Sequence, residues 1–411
     1  MSWQIRLLED CATFLSGGTP SKKRSDYWDG AIPWVSSAEL TDRFIDDTKL
    51  HITADGLQSG SRLAPAGTIF AVVRGMSLAT EFRISLSLRP MAFNQDVKAI
   101  MPKPGIDGTF LFYALSGRAN EIRDLATEAA HGTKKLEMNR LAGLPISVPD
   151  LETQCKVANI GFAYDDLITA NQRRIQLLEE SARLLYREWF VKLRFPGHET
   201  VPVSDGVPGG WEHGTVYDFV SILSGGTPKT GYEHYWGGDI PFFTPKDYPG
   251  TFYVTGTEKM LTESGLENCN SRFFPKDTIF VTARGTVGKT TLAQRPMAMN
   301  QSCYALVPKE EFDNLFLFLA MRDAVEHFIQ VASCGVFSAL VVDTFKAVPF
   351  LKPPRELAKS FGQLVRPIFD QIETLILQNS SLQEARDLLL PKLMSGALDV
   401  SRITVPQEVA A

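Results

Sequence analysis

The sequence predicts a chain of α/β (α+β) modules plus long helices. Two repeated modules are separated by an intramolecular antiparallel two-helix coiled coil, and the whole is pseudo-two-fold symmetric. Three observations carry this reading: an ordered internal repeat, two long stretches without turn punctuation, and an apolar heptad in each stretch that contains a single Asn. The length of 411 residues, beyond what one hydrophobic core usually serves, agrees with it.

The repeat comes first. Ser16-Gly17-Gly18-Thr19-Pro20 recurs as Ser224-Gly225-Gly226-Thr227-Pro228, Tyr27-Trp28 as Tyr235-Trp236, and Ile32-Pro33 as Ile240-Pro241, all at an offset of 208. Thr68-Ile69-Phe70 and Arg74-Gly75 return as Thr278-Ile279-Phe280 and Arg284-Gly285 at 210. Arg89-Pro90-Met91-Ala92 with Asn94-Gln95 returns at 206, and Leu136 and Pro145 return as Leu340 and Pro349 at 204. An ordered series drifting by only a few residues is what small loop insertions and deletions produce. Each half is therefore one module followed by one helix: modules over 1–150 and 196–353 (the latter with an entry linker, 196–210), helices over 151–195 and 354–396, and a tail over 397–411. Within the modules, β-rich runs at 68–74 and 278–284 alternate with apolar helical stretches at 110–119 and 316–325. Dense Gly and Pro make loops prominent.

After Pro149 and Pro354 the punctuation thins, with Pro367 and Pro391 expected near the ends of the second helix. One seam position of the first helix reads Val157, Tyr164, Asn171, Leu178, Leu185, and the other Gly161, Ile168, Ile175, Ala182, Trp189. The second helix reads Phe361, Ile368, Leu375, Leu382, Leu389 and Val365, Ile372, Asn379, Arg386, Leu393. A buried Asn needs a hydrogen-bonding partner, so Asn171 is set opposite Asn379 as the register residues. Paired numbers then sum to 550; Trp189 meets Phe361, and Tyr164 meets Arg386 as a stacked cation and ring. Packing of each helix only on its own module leaves the matching Asn positions unexplained. At 1.5 Å per residue, about 40 residues make a spacer of roughly 60 Å, suited to a split target on a duplex with two-fold strand symmetry.

Composition excludes several classes. Five scattered cysteines (Cys11, Cys155, Cys269, Cys303, Cys334) and six dispersed histidines support neither a disulfide framework nor a metal site. No stretch has the length and apolarity of a membrane span, and the opening MSWQIRLLEDCATF lacks a secretory pattern, so a cytoplasmic chain is expected. A net charge of −5 argues against indiscriminate DNA coating while leaving room for a local basic face. Gly285-Thr286-Val287-Gly288-Lys289-Thr290 imitates the end of a phosphate loop, but Ala283 stands where that loop needs Gly; a turn after a strand is the better reading.

The S-G-G-T-P, Y-W-x-G-x-I-P and T-I-F-x-x-x-R-G motifs, with Trp189-Phe190-Val191 and Phe195-Pro196-Gly197 closing a basic helix, resemble the specificity subunit of type I restriction–modification systems over nearly the whole chain. That resemblance implies one target-recognition domain per module, each reading part of a bipartite double-stranded DNA site, with the helices setting the gap. It also implies docking of two methyltransferase subunits and, in a cleaving complex, restriction/translocase subunits. No chemistry and no cofactor are expected on this chain, which lacks the Asn- or Asp-Pro-Pro-aromatic motif of adenine methyltransferases.

Readout of base edges and phosphates needs exposed donors. The candidates are Thr19, Ser21, Lys22, Lys23, Arg24, Ser36, Ser37, Arg74, Lys134 and Lys135 in the first half, with Arg140 adding charge. In the second half they are Thr227, Lys229, Thr230, Thr244, Lys246, Arg284 and Lys289. Arg74 and Arg284 are repeat-equivalent: each is either a phosphate contact or the partner of a buried carboxylate. Residues 173–194 hold six Arg or Lys against three Glu, and Tyr186, Phe190 and Val191 fall outside the seam as partner-docking candidates. A scaffold that binds proteins alone remains the competing reading; it leaves the motifs unexplained. A catalyst is the poorest, since no Ser/His/Asp set, metal set or carboxylate pair recurs in both modules.

Overall fold

The computed structural model describes residues 3–129, 132–310, 312–332 and 340–400. Cys334, position 131 and the tail from 401 lie outside the described residues. The chain forms two compact units, Met1–Ile168 with Ser381–Ala411, and Thr169–Ser380.

In the first unit a five-stranded sheet runs Ala12–Ser16, Val97–Pro102, Ile69–Val72, Ile84–Ser87, Phe44–Ile45. Its centre is Ile69–Val72, four consecutive residues all buried, as a strand covered on both faces requires. Neighbours are antiparallel except the parallel outer pair Phe44–Ile45 and Ile84–Ser87. A second sheet centres on Trp28–Val35, whose register shifts between Trp28 and Ile32. Gln4–Leu7 pairs with Pro145–Val148, so the first strand meets the last just before the long helix. The helix Gly108–Ser116 is capped by Asp107, which accepts from Phe110 N at 2.7 Å; it buries residues 111–115 in the module core and Phe110 in a cluster with Val157, Ala158 and Leu393.

The second unit repeats this plan. Its five strands run Val220–Ser224, Cys303–Pro308, Ile279–Thr282, Thr290–Ala293, Tyr253–Val254, with the same parallel outer pair. Trp236–Phe243 carries the same register shift, between Trp236 and Ile240, and Glu212–Thr215 pairs with Pro349–Lys352. The phosphate-loop imitation is a hairpin turn: Ile279–Thr282 and Thr290–Ala293 are antiparallel neighbours, and Gly285 and Gly288 take φ of 81° and 79°. A strand, where a phosphate loop needs a helix N-terminus, follows it.

The first long helix spans Leu151–Tyr186 and the second Arg355–Met394, with Pro367 and Pro391 both inside the latter. The first opens on Asp150, which accepts from Thr153 N at 2.9 Å. It closes in a wider turn over Arg187–Val191, where Lys192 N reaches Arg187 O at 2.8 Å across five residues, and Leu193 then turns the chain at φ 58°. In the second unit the helices are antiparallel: Asn171 Nδ2 donates to buried Asn379 Oδ1 at 3.0 Å, and the rings of Trp189 and Phe361 lie 5.4 Å apart.

Each helix has a second buried face, against a module, so seam packing and module packing coexist. In the first unit this face is ionic. Asp165, 4% exposed, accepts from Tyr113 Oη at 2.7 Å and pairs with Arg386, while Arg43 lies 3.6 Å from both Asp165 and Asp387. Arg386 therefore meets carboxylates, Asp165 and Asp387, and not the Tyr164 ring: an arginine 9% exposed needs a charge partner more than a π face. In the second unit, Phe369 stands at the position equivalent to Asp165 at an offset of 204 and packs its ring on Phe252, Tyr253 and Phe318. Glu179, nearly buried, accepts from Phe252 N at 2.7 Å. Burial pushes its carboxyl above the usual range, against that hydrogen bond and the charges of Arg322 and Arg183.

Candidate nucleic-acid interface

Four loops meet at one end of the first module. The S-G-G-T-P loop leaves its strand by pressing backbone on backbone: a Cβ on Gly17 would lie 2.1 Å from Phe93 O. Gly18 N donates to Phe93 O at 2.9 Å, and Thr19 Oγ1 donates to Gln95 Oε1 at 2.6 Å. The loop carrying Ser36 and Ser37 joins through Asn94 N to Val35 O at 2.9 Å. The loop carrying Arg74 joins through Val73 N to Asp96 O at 2.9 Å. Lys134–Lys135 then pairs as a strand with Arg74–Gly75, placing Lys135 across from Arg74 in a small basic sheet. Leu136 N closes the junction on Val73 O at 2.8 Å.

The second module builds the same junction from the same motifs. A Cβ on Gly225 would lie 2.3 Å from Met299 O, Gly226 N donates to Met299 O at 3.1 Å, and Thr227 donates to Gln301. Asn300 N reaches Phe243 O at 3.0 Å, Ala283 N reaches Ser302 O at 2.8 Å, and Leu340 N reaches Ala283 O at 2.8 Å. Gln95 and Gln301 were visible in the sequence as a recurring Asn-Gln pair, yet only the fold reveals what they hold.

The predicted residues divide by what they do here. Arg74, Arg284, Ser21, Lys22, Lys23, Arg24, Lys135, Lys229, Thr230, Lys246 and Lys289 are exposed; Ser36, Ser37 and Lys134 are half-buried. Arg74 and Arg284 make no ion pair among the described residues, so neither has a buried carboxylate partner there. Lys135 sits 3.0 Å from Glu137. Thr19, Thr227 and Thr244 spend their hydroxyl hydrogens inside the protein, on Gln95, Gln301 and Asp247, so they position loops and do not present a donor. Among the described residues no group of three His, Cys, Asp or Glu is placed to hold a metal, and no helix is long and apolar enough to cross a membrane.

Two copies of this loop junction on one chain, each with an exposed arginine at the same strand end, have a sequence counterpart. A family model described as the type I restriction modification DNA specificity domain matches residues 1–180 and again 208–379. The chain belongs to this type I specificity family. It is 24% identical to the type I restriction enzyme MjaIX specificity subunit of Methanocaldococcus jannaschii, over 98% of this chain and 94% of that one. It is also 24% identical to the HindI specificity subunit of Haemophilus influenzae, over 76% of this chain and 81% of that one. The crystal structure of a type I restriction-modification S subunit from M. genitalium shares the fold, at a TM-score of 0.57 and 16% identity, with 96% of each chain covered. Specificity is the non-catalytic role in such enzymes.

The docking candidates of this specificity chain need correction. Tyr186 and Phe190 do not face outward. Phe190 is 8% exposed, with its ring 4.6 Å from Phe316 and 5.0 Å from Phe361; Tyr186 stacks on it at 5.4 Å. The wider turn at Arg187–Val191 and the apolar floor of the module draw both rings inward. Val191 stays 53% exposed, and seven and fourteen residues before it Leu184 and Leu177 are exposed to the same degree.

Proposed function

We propose that the chain is the DNA-reading subunit of a type I restriction–modification complex. Residues 1–150 and 196–353 act as target-recognition domains, each reading one half of a bipartite double-stranded site in the cytoplasm. The helices over 151–195 and 354–396 set the gap between half-sites, with Asn171 and Asn379 holding their register, and dock two methyltransferase subunits. Methylation, and cleavage where restriction/translocase subunits join, belong to those partners.

The observation that carries this reading is the doubled loop junction: the same four loops, the same Thr-to-Gln hydrogen bond and an exposed Arg74 or Arg284 at the same strand end, surrounded by side chains that differ between copies. Shared residues suit phosphate contacts, which are alike in any half-site, and differing ones suit base edges. Lys22, Lys23, Lys134 and Lys135 in one copy, and Lys229, Lys246 and Lys289 in the other, supply the charge. For docking, Leu177 and Leu184 are exposed on the first long helix seven residues apart, and Val191 is exposed in the wider turn that closes it.

Selection of randomised duplexes by the complex tests the reading, and deletion of four residues from both helices at matched positions tests the ruler. The intact complex should select a split sequence, and the shortened chain a different gap. Absence of a sequence-selective DNA complex even with the methyltransferase subunits present would favour a protein scaffold, and an unchanged gap would refute the ruler.

A further inference from the structure

We infer that Arg24 reads a guanine in the half-site of the first module, with Asp26 as its positioning residue and Tyr27 as its platform; this rests on the DNA-reading function proposed above. Arg24 Nε donates to Asp26 Oδ1 at 2.8 Å and Nη2 to Asp26 Oδ2 at 2.6 Å, while the guanidinium carbon lies 4.7 Å from the centre of the Tyr27 ring. Two backbone bonds hold the loop beneath, Arg24 N to Ser21 O at 3.1 Å and Tyr27 N to Arg24 O at 3.2 Å. The guanidinium is thus fixed in plane and in rotation although its side chain is 58% exposed.

A guanidinium has more than one pair of parallel N–H groups. The carboxylate takes the Nε and Nη2 pair, which leaves the Nη1 and Nη2 edge; among the described residues Nη1 has no hydrogen-bond partner. Two parallel donors match the O6 and N7 acceptors that guanine alone offers side by side in the major groove. Adenine offers one acceptor beside a donor, thymine one acceptor, and cytosine a donor. A phosphate also accepts two such bonds. However, the Asp26 charge beside the guanidinium makes the pair almost neutral, which weakens pull on an anion and leaves directional pairing to a neutral base. Pre-ordering the long side chain also removes much of the rotamer loss that binding otherwise incurs.

The second module supplies the contrast. Tyr232 occupies the position of Arg24 at the offset of 208, with backbone angles of −102° and 94° against −102° and 96°. Its ring stacks on Tyr235 at 5.4 Å and 14°, as the guanidinium covers Tyr27. His234 replaces Asp26. Both loops therefore lay a flat group on the same tyrosine, but only the first offers a two-donor edge. Guanine preference at this position belongs to one half-site.

The test is sequence selection from randomised duplexes by the complex with its methyltransferase subunits, comparing wild type with Arg24→Lys and Asp26→Asn. Arg24→Lys keeps the charge and loses the edge. It should lower discrimination at one guanine by roughly 5- to 150-fold and leave the other half-site unchanged. Asp26→Asn should also relax that guanine while binding unrelated DNA at least as well as wild type, an effect that mere loss of loop structure does not produce. Three results would overturn the inference: no guanine responding to either variant, a response confined to the other half-site, or weakening of every sequence alike, the mark of a phosphate contact. A wild-type complex that selects no split sequence overturns the DNA-reading proposal itself, before any variant is made.

Discussion

Replacing the buried amide pair should give a double-mutant cycle that fails to close. Asn171 is 2% and Asn379 7% exposed, and one side-chain hydrogen bond joins them. Asn171→Leu alone takes from Asn379 Oδ1 the donor that Asn171 Nδ2 supplies, and losing a buried polar partner costs about 1–3 kcal/mol. Asn379→Leu alone orphans Asn171 to the same extent. Together they remove both sides of this hydrogen bond and add an apolar layer beside Ile175 and Leu375, both 4% exposed. The double variant should be at least as stable as wild type, so it should exceed the sum of the singles by about 2–6 kcal/mol. For a unit the size of Thr169–Ser380, 1 kcal/mol moves a melting midpoint by about 2–4 °C. Closure should fail by about 4–24 °C. Thermal unfolding by circular dichroism gives the numbers, and hydrogen exchange at the amides of 169–186 shows that the change is local. Because leucines tolerate sliding where amides do not, the double variant should also relax the preferred half-site gap. Singles that add to the double within about 0.5 kcal/mol would refute the argument.

The Glu179 carboxyl offers a pH handle. Its folded value is raised, so its contribution to stability is present below the ordinary glutamate range and is lost as pH rises through the raised value. Glu179→Gln keeps an acceptor for Phe252 N and cannot ionise, so the variant should gain on wild type as pH rises from the ordinary glutamate range through the raised value; a stability difference that stays constant over that rise contradicts the assignment. On the interface, Arg74→Ala with Lys135→Ala should reduce the salt slope of DNA binding by about 0.9 per lost phosphate contact, alike for all sequences. An unchanged slope would remove both from the phosphate set.

Much of the architecture was legible because its signals are local or periodic. The repeat declares itself in motifs such as Ser16-Gly17-Gly18-Thr19-Pro20, whose glycines are demanded by a backbone contact that no side chain tolerates. Each long helix declares itself by a heptad, and the single Asn in each seam points to its partner through hydrogen-bond demand, a chemical constraint that needs no coordinates. The Arg24–Asp26 pair was also within reach, two residues apart, but a pair of charges in a loop has no reading until the tyrosine beneath it is placed.

Other features were decided only by the tertiary structure, since they depend on residues far apart in the chain. Arg74 gains Lys135 as a neighbour through strand pairing across 61 positions. Tyr186 and Phe190 look outward on a helical wheel; the module's apolar floor and the widened turn bury Phe190 and half-bury Tyr186. Arg386, set opposite the Tyr164 ring by the seam register, instead joins Asp165, with Tyr113 and Arg43 closing around that carboxylate. A sequence period reports which face of an element avoids water, and the identity of what covers that face is settled when distant elements pack.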